Sequence, residues 1–124
     1  MKREAVSIPG APKPVGPFSP AIKTSDMVFA SGQLPLDAKG AMPEGIVAQT
    51  RQCLENLRAV FQAAGTSLDN VVKCTVFIKS MDDFAKMNEV YASFFPQTPP
   101  ARSTVEVARL AKNALIEIEA IALL

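Results

Sequence analysis

Two residue types in the C-terminal third of the chain can do chemistry together, Arg102 and a group of glutamates, Glu106, Glu117 and Glu119. Arg102 follows Pro99-Pro100-Ala101 at the start of an extended segment, where a side chain can reach into a cleft. A guanidinium there can fork onto a carboxylate through two parallel hydrogen bonds. A neighbouring glutamate can take or hand on a proton through one water. Arginine with glutamate and no metal ligand points to a small carboxylate substrate and acid–base chemistry. The chain has no histidine, which excludes Ser-His-Asp and Cys-His nucleophile systems and histidine-ligated metals. Cys53 and Cys74 have neither CxxC spacing nor histidine companions, so no metal site is expected. Two buried free thiols are favoured over a disulfide.

Strand and helix patterns must place these groups. Residues 1–20 carry Pro9, Pro12, Pro14, Pro17 and Pro20 and read as an extended arm, with Val6-Ser7-Ile8 available as a short edge strand. Short strands follow near Ala21–Thr24 and Met27–Ser31, then a long loop marked by Gly32, Pro35, Gly40, Pro43 and Gly45. Apolar residues from Ile46 to Ala64 recur at helical spacing, and Gly65 supplies a left-handed stop. Val72, Cys74, Val76 and Ile78 form the apolar side of the next strand. A second helix starts at Ser80 or Asp82, carries Phe84, Met87, Asn88, Tyr91, Phe94 and Phe95 on one face, and stops at Pro96. Strands over Arg102–Arg109 and Leu115–Leu123 complete the order β-β-α-β-α-β-β. Helical crossovers on one face of a mixed sheet leave the opposite face uncovered. The class is an α+β two-layer sandwich.

Alternation in the last strand puts Ile116, Ile118, Ala120 and Ala122 under the helices and Glu117 and Glu119 on the uncovered face. Applied to the preceding strand, the same rule puts Val105 and Val107 under the helices. Arg102, Thr104 and Glu106 then join the glutamates, with Lys73 and Thr75 beside them. Two readings of that face stand: a solvated polar surface, or a subunit interface, which Phe77, Ile121 and Leu123 favour. Asn88 reads equally as a buried amide or a residue near a site. For Ser31-Gly32-Gln33 a simple strand-ending turn is favoured over a backbone contact to a ligand.

The segments Gly16-Pro17-Phe18-Ser19-Pro20, Ser31-Gly32-Gln33, Pro100-Ala101-Arg102-Ser103 and Ile116-Glu117-Ile118-Glu119-Ala120-Ile121-Ala122 occur in order. Together they resemble the RidA/YjgF family, also called the L-PSP endoribonuclease family, from about Ala11 to Leu123. The resemblance implies one RidA-like domain over residues 1–124 with a chorismate-mutase-like fold. It also implies a homotrimer with a central barrel and clefts between subunits. It implies hydrolysis of 2-imino acids and their enamine tautomers, such as 2-iminobutanoate and 2-iminopropanoate, to 2-oxo acids and ammonia, with no cofactor or metal. Carried over by position, Arg102 binds the substrate carboxylate and Glu117 activates water. The backbone at Gly32 and Thr104 contacts substrate, and Ser31 and Asn88 shape the pocket. The chain departs from the family at Phe18, where tyrosine is usual, and at Thr104, where cysteine is common. Lys112-Asn113 replaces a commoner Pro-Lys pair in a loop.

A non-catalytic trimeric binder of small carboxylates is the alternative. RNA cleavage is disfavoured, because 13 basic against 12 acidic residues leave a net charge of +1 and no basic stripe. No apolar run approaches the roughly 18 residues of a membrane span, and no export signal is evident, so the expected compartment is the cytoplasm.

Overall fold

The computed structural model describes residues 2–11 and 13–124. The expectation of an extended arm at Met1 and Pro12 lies outside them. Within the arm the short edge strand is β1 (Glu4–Val6), two residues earlier than the pattern at Val6–Ile8 suggested. The other strands are β2 (Ala21–Lys23), β3 (Met27–Gln33), β4 (Val71–Ile78), β5 (Ala101–Glu106) and β6 (Ile116–Leu123). They form one sheet in the order β1-β2-β3-β6-β4-β5. Among the described residues, only β4 and β5 pair in parallel. Strands β3 and β4 both run antiparallel to β6. The connections β3-to-β4 and β4-to-β5 are therefore crossovers, and helices α1 (Ile46–Ala64) and α2 (Phe84–Phe94) supply them.

The 19-residue α1 follows its apolar periodicity. Cys53, Leu54, Leu57, Val60 and Phe61 are fully buried against Val76, Ile78, Ile116, Ile118 and Ala122 of the sheet. Gly65, at φ 93°, ends the helix, and the Gly65 and Thr66 amides donate to Gln62 and Phe61 carbonyls. Two polar side chains of α1 fasten the loop after β3. Asn56 donates to the carbonyls of Leu34 and Leu36, and buried Gln49 donates to Pro43 while accepting from the Leu115 amide. The second helix begins with a short turn over Met81–Asp83, where the Ser80 hydroxyl accepts from the Asp82 amide.

Two register expectations are corrected. A bulge between Val71 and Lys73 puts Val71, not Val72, in the core, and Val72 is exposed. The second correction bears on function. In β5, Arg102, Thr104 and Glu106 lie opposite Cys74, Val76 and Ile78, the helix-covered side of β4. These three residues therefore face the helices rather than the open face. Val105, expected in the core, lies opposite Phe77 on the open face and is 44% exposed. The strand also ends at Glu106 rather than Arg109. The physical reason is local: β5 is an edge strand, and the part of α2 over it presents Phe84, Met87 and Tyr91 rather than an aliphatic ridge. Polar side chains therefore belong beneath it. Glu106 accepts a hydrogen bond from the Met81 amide, 2.9 Å away, and helps cap the entry to α2.

Candidate active site

The residues singled out by sequence separate into two groups on opposite sides of the sheet. The first lies in the seam between α2 and β5. The Arg102 guanidinium carbon sits 4.7 Å from the Tyr91 ring centroid and 5.6 Å from that of Phe84. One of its nitrogens reaches the Met87 sulfur at 4.0 Å. Aromatic faces attract a guanidinium and leave its in-plane donors available to an anion. Among the described residues, Arg102 has no carboxylate partner. Among the described residues, four buried side-chain polar atoms lack a hydrogen-bond partner, and three of them, Asn88 Oδ1, Tyr91 Oη and Thr104 Oγ1, belong to α2 and β5. Such atoms cost about 1–3 kcal/mol each unless a partner arrives.

Cys74 lies directly opposite Arg102 on β4. Burial pushes its thiol up, while Tyr91, Arg102 and Lys73 pull it partly back. Burial likewise raises the Tyr91 phenol, Cys74 adds to the rise, and Arg102 opposes it. The thiol and phenol are close enough to affect each other, yet the phenol makes no hydrogen bond of normal geometry. Both groups stay neutral at neutral pH, leaving Arg102 as the charged group among Tyr91, Phe84, Met87 and Cys74.

The second group surrounds the end of β3. Its ladder with β6 is interrupted between Ala30 and Gln33, so Ser31 and Gly32 bulge out of regular pairing. Glu117 of β6 packs directly onto Gly32: a Cβ there would meet the carboxyl carbon at 2.9 Å and Cγ at 3.2 Å. Close approach of a carboxylate to backbone explains glycine at this position. Burial pushes the Glu117 carboxyl above its usual range, and Glu119 on the same strand adds to the rise. Ser31 donates from its hydroxyl to the Ser19 carbonyl at 2.6 Å and from its amide to Pro20 at 2.9 Å. These bonds bring the Phe18-Ser19-Pro20 corner beside the bulge. Phe18 is 56% exposed.

Arg102 thus lies against Tyr91, Phe84 and Met87, Thr104 shares its side of β5, and Asn88 is carried by the same α2. Phe18, Ser31, Gly32 and Glu117 gather around the end of β3. The single site expected on the uncovered face does not form within one chain. Strand β4 separates β5 from β6, and Arg102 pairs at Cys74 while Glu117 pairs at Phe77, so the two are offset by two strand spacings of about 4.8 Å and by three residues along β4, on opposite faces. Tyr91, Phe84 and Met87, placed by sequence on one face of the second helix, form the bed of Arg102. Their spacing of three and seven residues marks one helix face but does not reveal that an arginine lies on it. Cys53 and Cys74 are buried and free. Among the described residues no cluster of three or more His, Cys, Asp or Glu side chains is placed to hold a metal ion. No helix there is long and apolar enough to cross a membrane.

Residues 9–124 match the family model described as Endoribonuclease L-PSP. The chain is 55% identical over 122 residues to a RutC family protein of Pyrococcus horikoshii, covering 97% of each. It is 47% identical over 123 residues to the 2-iminobutanoate/2-iminopropanoate deaminase of Salmonella typhimurium, covering 96% of each. Among solved structures it superposes on the E. coli YjgF gene product with a TM-score of 0.92. That pair is 44% identical, over 97% of this chain and 98% of the other. E. coli TdcF with bound serine gives 0.93 at 42% identity, over 98% of each chain. Agreement in sequence and in structure over nearly the whole length leaves one conclusion: the chain belongs to the RidA/YjgF family of Endoribonuclease L-PSP-type proteins.

Proposed function

We propose that this protein hydrolyses small 2-imino acids, such as 2-iminobutanoate and 2-iminopropanoate, and their enamine tautomers to 2-oxo acids and ammonia. The observation that carries the reading is the Arg102 seam: a cation bedded on aromatic rings, with unpartnered buried polar atoms along the same seam and no carboxylate of its own. A small carboxylate supplies the missing acceptor. Full-length relatives called 2-iminobutanoate/2-iminopropanoate deaminase support the choice of imine.

The chemistry needs little more than placement. With the carboxylate on Arg102, water adds to the carbon of the protonated imine as Glu117 takes its proton. Glu117 returns that proton to the nitrogen and takes the proton of the new hydroxyl as the C–N bond breaks. A 2-oxo acid and ammonia leave, and the proton held by Glu117 passes to ammonia as ammonium. A carboxyl with a raised pKa accepts and releases protons more readily near neutral pH.

Glu117 and Arg102 of one chain lie on opposite sheet faces, so our reading places the site between copies, in a homotrimer whose open sheet faces meet. Exposed Phe29, Val105 and Leu123 suit that burial. Two free thiols and this chemistry fit the cytoplasm. A second reading, a carboxylate binder without turnover, is favoured by Phe18, which has no hydroxyl to hold a water. RNA cleavage lacks an electrostatic basis at a net charge of +1.

The test generates imines with an amino-acid oxidase while semicarbazide competes for them. Wild type should suppress semicarbazone formation, and Arg102→Ala and Glu117→Gln should not. Equal mixing of the two inactive variants under subunit exchange should restore about one-quarter of the wild-type sites, the statistical share of interfaces carrying both intact residues. No suppression by wild type, with saturable 2-oxobutanoate binding, would replace this reading with the binder. Full activity of Arg102→Ala would remove Arg102 from the site.

A further inference from the structure

We propose that Gln33 and Cys53 are positioning residues that hold the Ser31-Gly32-Gln33 bulge beneath Glu117. The inference rests on the reading of Glu117 as the water-activating base. A bulged segment lacks the ladder hydrogen bonds that fix its neighbours. Side chains fix this one instead. The Gln33 amide bends back across Gly32 and donates to the Ser31 carbonyl at 3.0 Å. The Gln33 carbonyl in turn accepts from the Cys53 thiol of α1 at 3.1 Å. Ser31 is anchored on its other side to the Ser19 carbonyl.

Cys53 also reaches the other partner of the contact. Its sulfur lies 3.7 Å from the carbonyl of Ile116, the residue immediately before Glu117. One side chain therefore bridges the backbone after Gly32 and the backbone before Glu117. The thiol is wholly buried, and burial followed by the Glu117 charge raises its pKa, so it stays a neutral donor. This removes nucleophilic and redox roles and leaves a geometric one. A carboxylate that must meet a substrate held elsewhere tolerates little wandering, since about 1 Å of misplacement costs on the order of a hundredfold in rate.

The ionisable group acting on Glu117 is Glu119 from its own strand; Gly32 of β3 and Phe77 of β4 flank it, while the neutral Cys53 of α1 holds the backbone from the helix side. Its titration therefore reports how tightly the bulge is closed over it. The experiment follows the Glu117 carboxyl carbon by NMR through a pH titration of the intact protein without substrate. Imine turnover is measured in parallel. Cys53→Ser keeps a donor and should leave the titration and kcat within about twofold of wild type. Cys53→Ala and Gln33→Leu admit water to the bulge. Both should lower the Glu117 pKa toward an ordinary glutamate and reduce kcat by about five- to tenfold with KM unchanged. An unmoved titration in the folded Gln33→Leu and Cys53→Ala variants would overturn the proposal. Equal damage in Cys53→Ser and Cys53→Ala would overturn it for Cys53, because volume rather than the hydrogen bond would then matter. The titration needs no turnover, so it stands even if wild type proves to be a binder.

Discussion

Gly32→Ala is the sharpest perturbation of the candidate site, because its effect is confined to one contact. Gly32 is not among the glycines with positive φ, so alanine brings no backbone strain. Its methyl would meet the Glu117 carboxyl carbon at 2.9 Å, whereas ordinary contact begins near 3.4 Å. The carboxyl carbon must retreat by about 0.5 Å and the nearer oxygen by about 1 Å to restore van der Waals distance. The obstructing atoms end a flexible, half-buried side chain that can swing toward solvent, so folding should change by no more than about 1 kcal/mol. A base displaced by about 1 Å should cost on the order of a hundredfold in kcat, or about 2.7 kcal/mol. The semicarbazide competition assay reads the rate, and a thermal melt reads the fold. In a Glu117→Gln background the alanine should add little, since the group it displaces is already inert. Wild-type turnover by Gly32→Ala would refute the placement of Glu117 as base. A further hundredfold loss on top of Glu117→Gln would show that Gly32 acts through something else.

Arg102→Lys keeps the charge but loses the planar fork, and kcat/KM should fall about ten- to a hundredfold, the worth of one or two charge-assisted hydrogen bonds. Steady-state kinetics against Arg102→Ala would check it. Tyr91→Phe keeps the ring beneath Arg102 and removes a buried, unpartnered hydroxyl, so its melting temperature should equal or exceed wild type. Tyr91→Leu loses the ring and should raise KM by about threefold to thirtyfold. The Glu117 carboxyl titrates above its usual range in the fold, so the folded chain holds that proton more tightly than the unfolded chain does. Its stabilising effect is complete below the ordinary glutamate range and is lost as pH rises through the raised value. Glu117→Gln should therefore melt at or above wild type near about pH 7, and the difference should shrink toward about pH 4.

The helices were legible in the sequence because period and punctuation agree, from Ile46 through the Gly65 stop and from the Ser80 cap to Pro96. The β6 alternation was equally clear, since a central strand under two helices must bury every second residue. The β5 pattern misled because its neighbours across space, Phe84, Met87 and Tyr91, accept an arginine where valine looked the better fit. Alternation reports burial, and on an edge strand with an exposed valine it reports the wrong side. The Val71–Lys73 bulge shifted Val72 outward for a different reason: β6 pairing sets the count, and nothing local in the sequence announces the extra residue. The candidate site residues came from residue type and alternation together with the resemblance; their division between two faces needed the register of β4 with β5 and β6.

That division has a kinetic consequence. Side-chain rotation cannot carry Arg102 through the sheet to Glu117, so in our reading an isolated, correctly folded chain is chemically silent. Specific activity should then fall on dilution, with no loss of secondary structure, once the concentration drops below that at which copies associate. The rate at which activity returns on reconcentration would report association rather than folding. A newly made chain would acquire its fold first and its chemistry only on meeting its neighbours.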